Sequence, residues 1–279
     1  ARSPIPVRCS LLPITPCLHV SYPDEKDNGT GNTKRSRRKR TGQMSWLANT
    51  VHSQVLMKLE RSLLVRASRR REIVRKRHAA ILLPLVNTEI ALERTDPGEL
   101  SLLLTRRAAS LQMGGQIAFP GGKVDATDRT REVTATREAE EEVGLPHDAV
   151  QCLGMLDDMH TLDDKVAVTP VVGYCGDLSL LPLVASSSEV SKIFTVPLKH
   201  LQDDRCWVSK THEWQGSSYS FPHFEVAHYS GELPGQEERL WGLSAFAVMR
   251  LLEELPGGSP ASLRRWERNG ECILSRLFV

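Results

Sequence analysis

FPGGKVDATDRTREVTATREAEEEVGLP, residues 119–146, places Glu138, Glu140, Glu141 and Glu142 within five positions, shortly after a Phe-Pro-Gly-Gly turn and just before Gly144. The pattern predicts a helix over 131–143, with Gly144 as its stop. At about 100° per residue, with Glu138 as zero, Glu141 lies at about −60° and Glu142 at about +40°. Three carboxylates then share an arc of about 100°, while Glu140 points away. Ala135, Ala139 and Val143 form an apolar strip beside them, small enough for the helix to lie close to a sheet. Like charges at this spacing repel unless something positive sits among them. Arg137, four residues before Glu141, offers one positive group. Mg2+ or Mn2+ would offer another, because carboxylates, waters and phosphate oxygens are the ligands such hard cations prefer. A solvated acidic face is the commoner meaning of a bare E-x-E-E-E, so the helix alone leaves both readings open.

Outward from this helix the charge is uneven. Residues 1–78 carry 18 Lys/Arg against 5 Asp/Glu, a net +13, whereas residues 79–279 carry 18 against 29, a net −11. An acidic body acting on an anion needs metal ions or local basic residues to receive it. With 279 residues the chain is long enough for one sizeable core plus tails. No apolar run reaches the roughly 18–20 residues that span a bilayer. Six scattered cysteines without a C-x-x-C pair argue against a zinc site or a disulfide framework and for a reducing compartment.

Residues 1–45, rich in Pro, Ser, Asn and Arg and containing KRSRRKR at 34–40, read as a disordered basic leader. The first 23 residues hold no acid, as in an organelle transit peptide, which favours a mitochondrial or other organelle address over a cytoplasmic one. Five prolines among them oppose an amphipathic helix there. Residues 46–78 read as a basic amphipathic helix, with Val55, Leu56, Leu59, Leu63 and Leu64 as its stripe. HAAILLPLV then reads as a buried strand. Asp96-Pro97-Gly98 suggests a hairpin turn before ELSLLLTRR. After the acidic helix, VQCLGML and VAVTPVVGYCG read as strands around a polar loop, 157–165. EVSKIFTVPLKHL gives a strand and a short helix, and residues 240–255 an amphipathic helix. Residues 256–279 show no strong pattern. Interleaved strands and helices predict an α/β (α+β) domain with a mixed sheet and helices on its faces.

GGKVDATDRTREVTATREAEEEVGL resembles the Nudix box, G-x5-E-x7-R-E-U-x-E-E-x-G-U with U apolar. Arg137, Glu138, Ala139, Glu141, Glu142, Gly144 and Leu145 fit its second half. The first half departs: counted from Gly122, the isolated glutamate falls on Asp128, and eight residues rather than seven separate it from Arg137. The flank LLLTRRAASLQMGGQIAFPGGKVD is similar to the coenzyme A diphosphatase branch, L-L-T-x-R-S…H-x-G-Q-[VI]-A-F-P-G-G-x-x-D. The shared residues are Leu103, Leu104, Thr105, Arg106, Gly115, Gln116, Ala118, Phe119, Pro120, Gly121, Gly122 and Asp125. Met113 stands where that branch has His, and the loop before it is one residue shorter.

The resemblance covers residues 79–255 and implies the Nudix fold, a mixed β-sheet sandwiched between helices. It implies metal-dependent hydrolysis of a nucleoside diphosphate derivative. For this branch that is coenzyme A or acyl-coenzyme A, cut to adenosine 3′,5′-bisphosphate and 4′-phosphopantetheine or its acyl form. Glu138, Glu141 and Glu142 would hold Mg2+ or Mn2+, with Arg137 orienting them. Glu189 is the candidate distal acid, with Asp157, Asp158, Asp163 and Asp164 as rivals. Arg106 and Gln116 are candidates for binding diphosphate or base, although Arg106 could equally cap a strand end. His212, His223 and His228 fall among aromatics and form no ligand cluster. Two alternatives remain at this stage: a Nudix pyrophosphatase of ADP-ribose, NADH or oxidised nucleotides, and an RNA-binding or decapping protein that uses the basic leader.

Overall fold

The computed structural model describes residues 52–67, 77–88, 99–111, 113–163, 165–214, 216–230 and 239–269. All of these belong to one compact unit, residues 41–279. The leader at 1–45, the turn Asp96-Pro97-Gly98 and the loop acid Asp164 lie outside the described residues.

Helix α1, Ser53–Ala67, opens the described chain. Its buried stripe is Leu56, Leu59 and Leu63, with Val55 partly buried. Leu64, expected in that stripe, instead faces solvent at 46% exposure, because the i, i+3, i+7 row already fills the groove. Arg66 ties α1 down by pairing with Asp157 at 2.5 Å and with Glu254 at 2.5 Å.

The main sheet has eight strands. Strand β1, Arg77–Thr88, is central and begins two residues before the boundary expected at 79. It runs antiparallel to β2, Glu99–Arg107, with Thr88 opposite Glu99, and parallel to β7, Val166–Asp177. The remaining members are β3 (Ile117–Ala118), β4 (Gly121–Lys123), β5 (Gln151–Met155), β6 (Met159–His160) and β8 (Val190–Pro197). On one edge β1 changes partner. Ala79–Ile81 pair with β4, and Leu85–Thr88 pair with β2. Pro84, which lacks an N–H, falls in the gap between those two pairings, where a ladder donor is not required. The gap lets residues 119–123 fold back across the sheet toward the acidic helix.

That helix, α2, spans Arg131–Val143, as the sequence predicts. Thr130 caps its start by accepting from the Val133 N–H, and Gly144 ends it at φ 68°. Short helices α3 (Leu198–Leu201) and α4 (Ala227–Ser230) follow, then α5 (Gly242–Glu254) and α6 (Ala261–Arg268). Two apolar layers flank the sheet. Ala135, Ala139 and Val143 of α2 pack on Ala80, Leu82, Leu103 and Val171. On the opposite face α1 and α5 pack on Leu83, Leu85, Leu102, Leu104 and Val172.

Three features depart from the sequence expectations. Helix α5 is buried almost all round (Ala245 to Met249, Leu251 and Leu252) rather than along one stripe. Residues 261–268, read as patternless, form α6, which buries Leu263 and Trp266 and is anchored when its Ser262 N–H donates to Asp204 at 2.9 Å. The aromatic-rich stretch forms a second, antiparallel sheet of β9 (Trp207–Trp214), β10 (Ser217–Glu225) and β11 (Arg239–Leu240). Its histidines pack rather than ligate. His212 and His223 lie in one plane, Nε2 to Nε2 at 2.9 Å, and both stack on Trp241.

Candidate active site

The site is built on α2 and on the Gly121-Gly122 turn that faces it. Gly121 has φ 153°, and a Cβ there would lie 2.4 Å from the Ala80 carbonyl oxygen, so only glycine fits against β1. Its N–H donates to Glu142 Oε2 at 3.2 Å. A Cβ on Gly122 would lie 2.4 Å from the Glu138 carboxylate, so the second glycine leaves room for that acid. Glu142 is 6% exposed and Glu141 largely exposed, while Glu140 turns away to a 3.3 Å contact with His147.

Arg137 organises the acids. Its Nε and Nη2 grip both oxygens of Asp128 at 3.1 and 3.0 Å. Nη2 also reaches Glu138 Oε1 at 3.0 Å and the Lys123 carbonyl at 3.2 Å, and Nη1 reaches Glu141 Oε2 at 3.0 Å. These acceptors push the guanidinium pKa up, Asp128 foremost. Asp128 is held down to about 2, chiefly by Arg137. The acid that departs from the Nudix pattern therefore does orient Arg137. Burial pushes Glu142 up to about 7, and nearby Glu138 and Glu189 add to the rise. Glu138 is raised too, mainly by burial and against the pull of Arg137.

Glu189 is close enough to Glu138 and Glu142 to raise the pKa of each. It follows a segment pinned to the end of α2, where the Ser186 N–H donates to the Glu142 carbonyl at 2.9 Å. The rival acids are committed elsewhere. Asp157 pairs with Arg66, Asp158 is buried on Thr169 at 2.6 Å, and Asp163 bonds Thr161 and Lys165 in its own loop.

Arg106 and Arg107 close strand β2. Leu102 and Leu104 of β2 face the α5 layer and Leu103 faces the α2 layer. Alternation carries Arg106 with the former, while the ladder to β8 shifts register between Arg106 and Arg107. Arg107 lies close enough to Glu142 to pull its pKa down. Gln116 stands across from Arg107, whose N–H donates to the Gln116 carbonyl at 3.0 Å. Sequence reasoning chose Arg106, and the pull on Glu142 adds its neighbour Arg107 as a second candidate. The signal was available, since the pattern L-L-T-x-R puts one residue between Thr105 and its arginine.

A divalent metal suits this donor set. Glu138, Glu141 and Glu142 supply only hard oxygen ligands, and one buried and one half-buried carboxylate with raised pKa values call for a compensating cation. Among the described residues no three acidic, His or Cys side chains converge tightly enough to enclose an ion. Glu141 would have to turn from Arg137 to join the other two.

Against this geometry the comparisons with known proteins are direct. Residues 77–217 match the NUDIX domain family. A protein named "Uncharacterized Nudix hydrolase NudL" from Photorhabdus laumondii is 37% identical over 184 residues, covering 64% of this chain and 85% of that one. The NudL of Escherichia coli K12 is 43% identical over 141 residues, half of this chain and 67% of that one. Among solved structures, a Nudix hydrolase from M. smegmatis, RenU, is 23% identical over 46% of this chain and 75% of its own, at a TM-score of 0.37. The chain belongs to the Nudix family. It is a hydrolase that acts on pyrophosphate bonds.

Proposed function

We propose that the substrate is coenzyme A or an acyl-coenzyme A, cleaved at its diphosphate to adenosine 3′,5′-bisphosphate and 4′-phosphopantetheine or the acyl form. The observation that carries this reading is the continuity between the flank and the box. The residues similar to the coenzyme A branch, 103–125, form β2, its turn, β3 and β4, and they lead straight into the Gly121-Gly122 seat of Glu142 and Glu138. A substrate held by that flank has its diphosphate at the acidic face of α2.

In this mechanism Glu138, Glu141 and Glu142 would hold Mg2+ or Mn2+, which when bound would neutralise diphosphate charge and make water a better nucleophile. Arg137 keeps the carboxylates in register and does not itself touch substrate. Arg106 or its neighbour Arg107, together with Gln116, receives the diphosphate or base. Glu189 accepts the proton as the water oxygen bonds to phosphorus and the bridging oxygen departs with the other phosphate. No covalent intermediate forms on the protein.

The test is turnover of a panel containing coenzyme A, acetyl-coenzyme A, ADP-ribose, NADH and 8-oxo-dGTP, each with Mg2+ and with Mn2+, the products being identified by mass. The coenzyme A compounds are expected to turn over fastest. Faster cleavage of ADP-ribose, or products other than adenosine 3′,5′-bisphosphate, overturns the assignment. Measuring both this turnover and RNA affinity on a chain without residues 1–45 separates the RNA alternative: unchanged turnover with lost RNA affinity would show two separable activities.

A further inference from the structure

Asp128 is only 2% exposed, yet it takes four hydrogen bonds. Oδ1 accepts from Arg137 Nε, and Oδ2 accepts from Arg137 Nη2, from the Asp125 N–H at 2.9 Å and from Thr134 Oγ1 at 2.9 Å. Thr134 is fully buried one turn before Arg137 on α2. Its hydroxyl has a single proton and two possible acceptors, Asp128 at 2.9 Å and the Thr130 carbonyl at 3.4 Å. The shorter contact wins, so the proton goes to Asp128. Asp125 completes the arrangement from the other side: its own carboxylate accepts from the Thr127 N–H at 3.1 Å, closing a tight turn, and the Asp128 N–H donates back to the Asp125 carbonyl at 3.1 Å.

The box departs from its pattern in two ways, an acid one methylene shorter and one extra residue before Arg137. With the 125–128 turn in place, the short carboxylate of Asp128 meets Arg137 with both of its oxygens. An aspartate has fewer rotamers than a glutamate, but it aims correctly only if something fixes its plane. We infer that Thr134 is a positioning residue of this site: its hydroxyl fixes the Asp128 carboxylate, which fixes Arg137, which sets Glu138 and Glu141. The inference rests on the reading of α2 as the metal-holding helix, but not on which diphosphate is cleaved.

The decisive comparison is Thr134→Val, isosteric but without a donor, against Thr134→Ser, which keeps the donor and loses the methyl. In the full chain Thr134→Val is expected to lower kcat about tenfold, the lower end for a partner of a metal ligand. KM should stay within about twofold, and Mn2+ affinity measured by electron paramagnetic resonance should weaken in parallel. Thr134→Ser should recover most of both. The Arg137 Nε–H proton, followed by NMR without metal or substrate, should exchange with water faster in Thr134→Val than in the wild type. Unchanged kcat and Mn2+ affinity in Thr134→Val overturns the inference. So does a Thr134→Ser variant as impaired as Thr134→Val, which would mean that the methyl packing matters instead. If Thr134→Val does not fold, Thr134→Ala replaces it, since it too removes the donor. Wild-type Mn2+ affinity and Arg137 exchange in Thr134→Ala would equally overturn the inference. A chain that fails to cleave any coenzyme A compound, but still shows the Thr134-dependent Arg137 exchange, refutes the proposed substrate and leaves this inference standing.

Discussion

Glu142 and Glu140 sit two residues apart on one helix, and burial assigns them opposite fates. Glu142 is packed against the Gly121 N–H, and Glu140 is exposed beside His147. Glu142→Gln removes a carboxylate that holds the cation and is expected to lower turnover about a thousandfold, the equivalent of about 4 kcal/mol. Glu140→Gln should leave kcat and KM near wild type. Steady-state kinetics on the two purified variants check both. Glu142 also makes stability depend on pH in the metal-free protein. Its carboxyl is raised from 4.5 to about 7 in the folded state, so the native protein holds a proton there that the unfolded chain has released. That stabilisation is complete below about pH 4.5 and is lost as pH rises through 7. The metal-free Tm should therefore fall between pH 5 and 7.5 more steeply in the wild type than in Glu142→Gln. Saturating Mg2+ should remove the difference, because the cation takes the proton's place.

At the level of elements, the Gly121-Gly122 turn is as important as the helix it serves. Gly122→Ala adds a methyl where the Glu138 carboxylate sits, and the far end of that side chain can yield. The variant is expected to fold with a near wild-type Tm while losing Mn2+ affinity about tenfold or more, as read by titration calorimetry. Much of this level was legible in advance. Helix α2 matches its expected bounds because capping, Ala spacing and a terminal glycine all agree locally. Strands β1, β2, β5, β7 and β8 showed as apolar runs. The second sheet did not, because β9 and β10 mix Lys, Ser, His and Trp without clean alternation. Their pairing is fixed across the hairpin, and Trp241 arrives from a distant segment. Helix α6 escaped notice for a similar reason: two buried side chains in eight residues are too few to mark a stripe, and its start is held by Asp204, far away in sequence.

Across the whole molecule, one sheet divides two apolar layers with different duties. The α2 layer is thin, built on alanines, and carries the site. The opposite layer, with α1, α5 and the second sheet, contains most of the large side chains. Leu59→Ala in α1, at a fully buried position, should cost about 3 kcal/mol of stability by chemical denaturation. With kcat at 25 °C little changed, this would place the main reserve of stability away from the chemistry.

The amino-acid sequence by itself determined the acidic helix, its caps, the alanine strip beneath it and the set of carboxylates on one side. These follow from residue spacing along a single helix, which neighbours in sequence fix. Only the tertiary structure decided that Asp128 closes on Arg137, that Arg107 comes near enough to Glu142 to act on its charge, and that Glu189 acts on both Glu138 and Glu142. Those relations join residues on different elements. Their distances depend on strand register, on the split pairing of β1 and on the turn at 125–128, none of which a local pattern encodes.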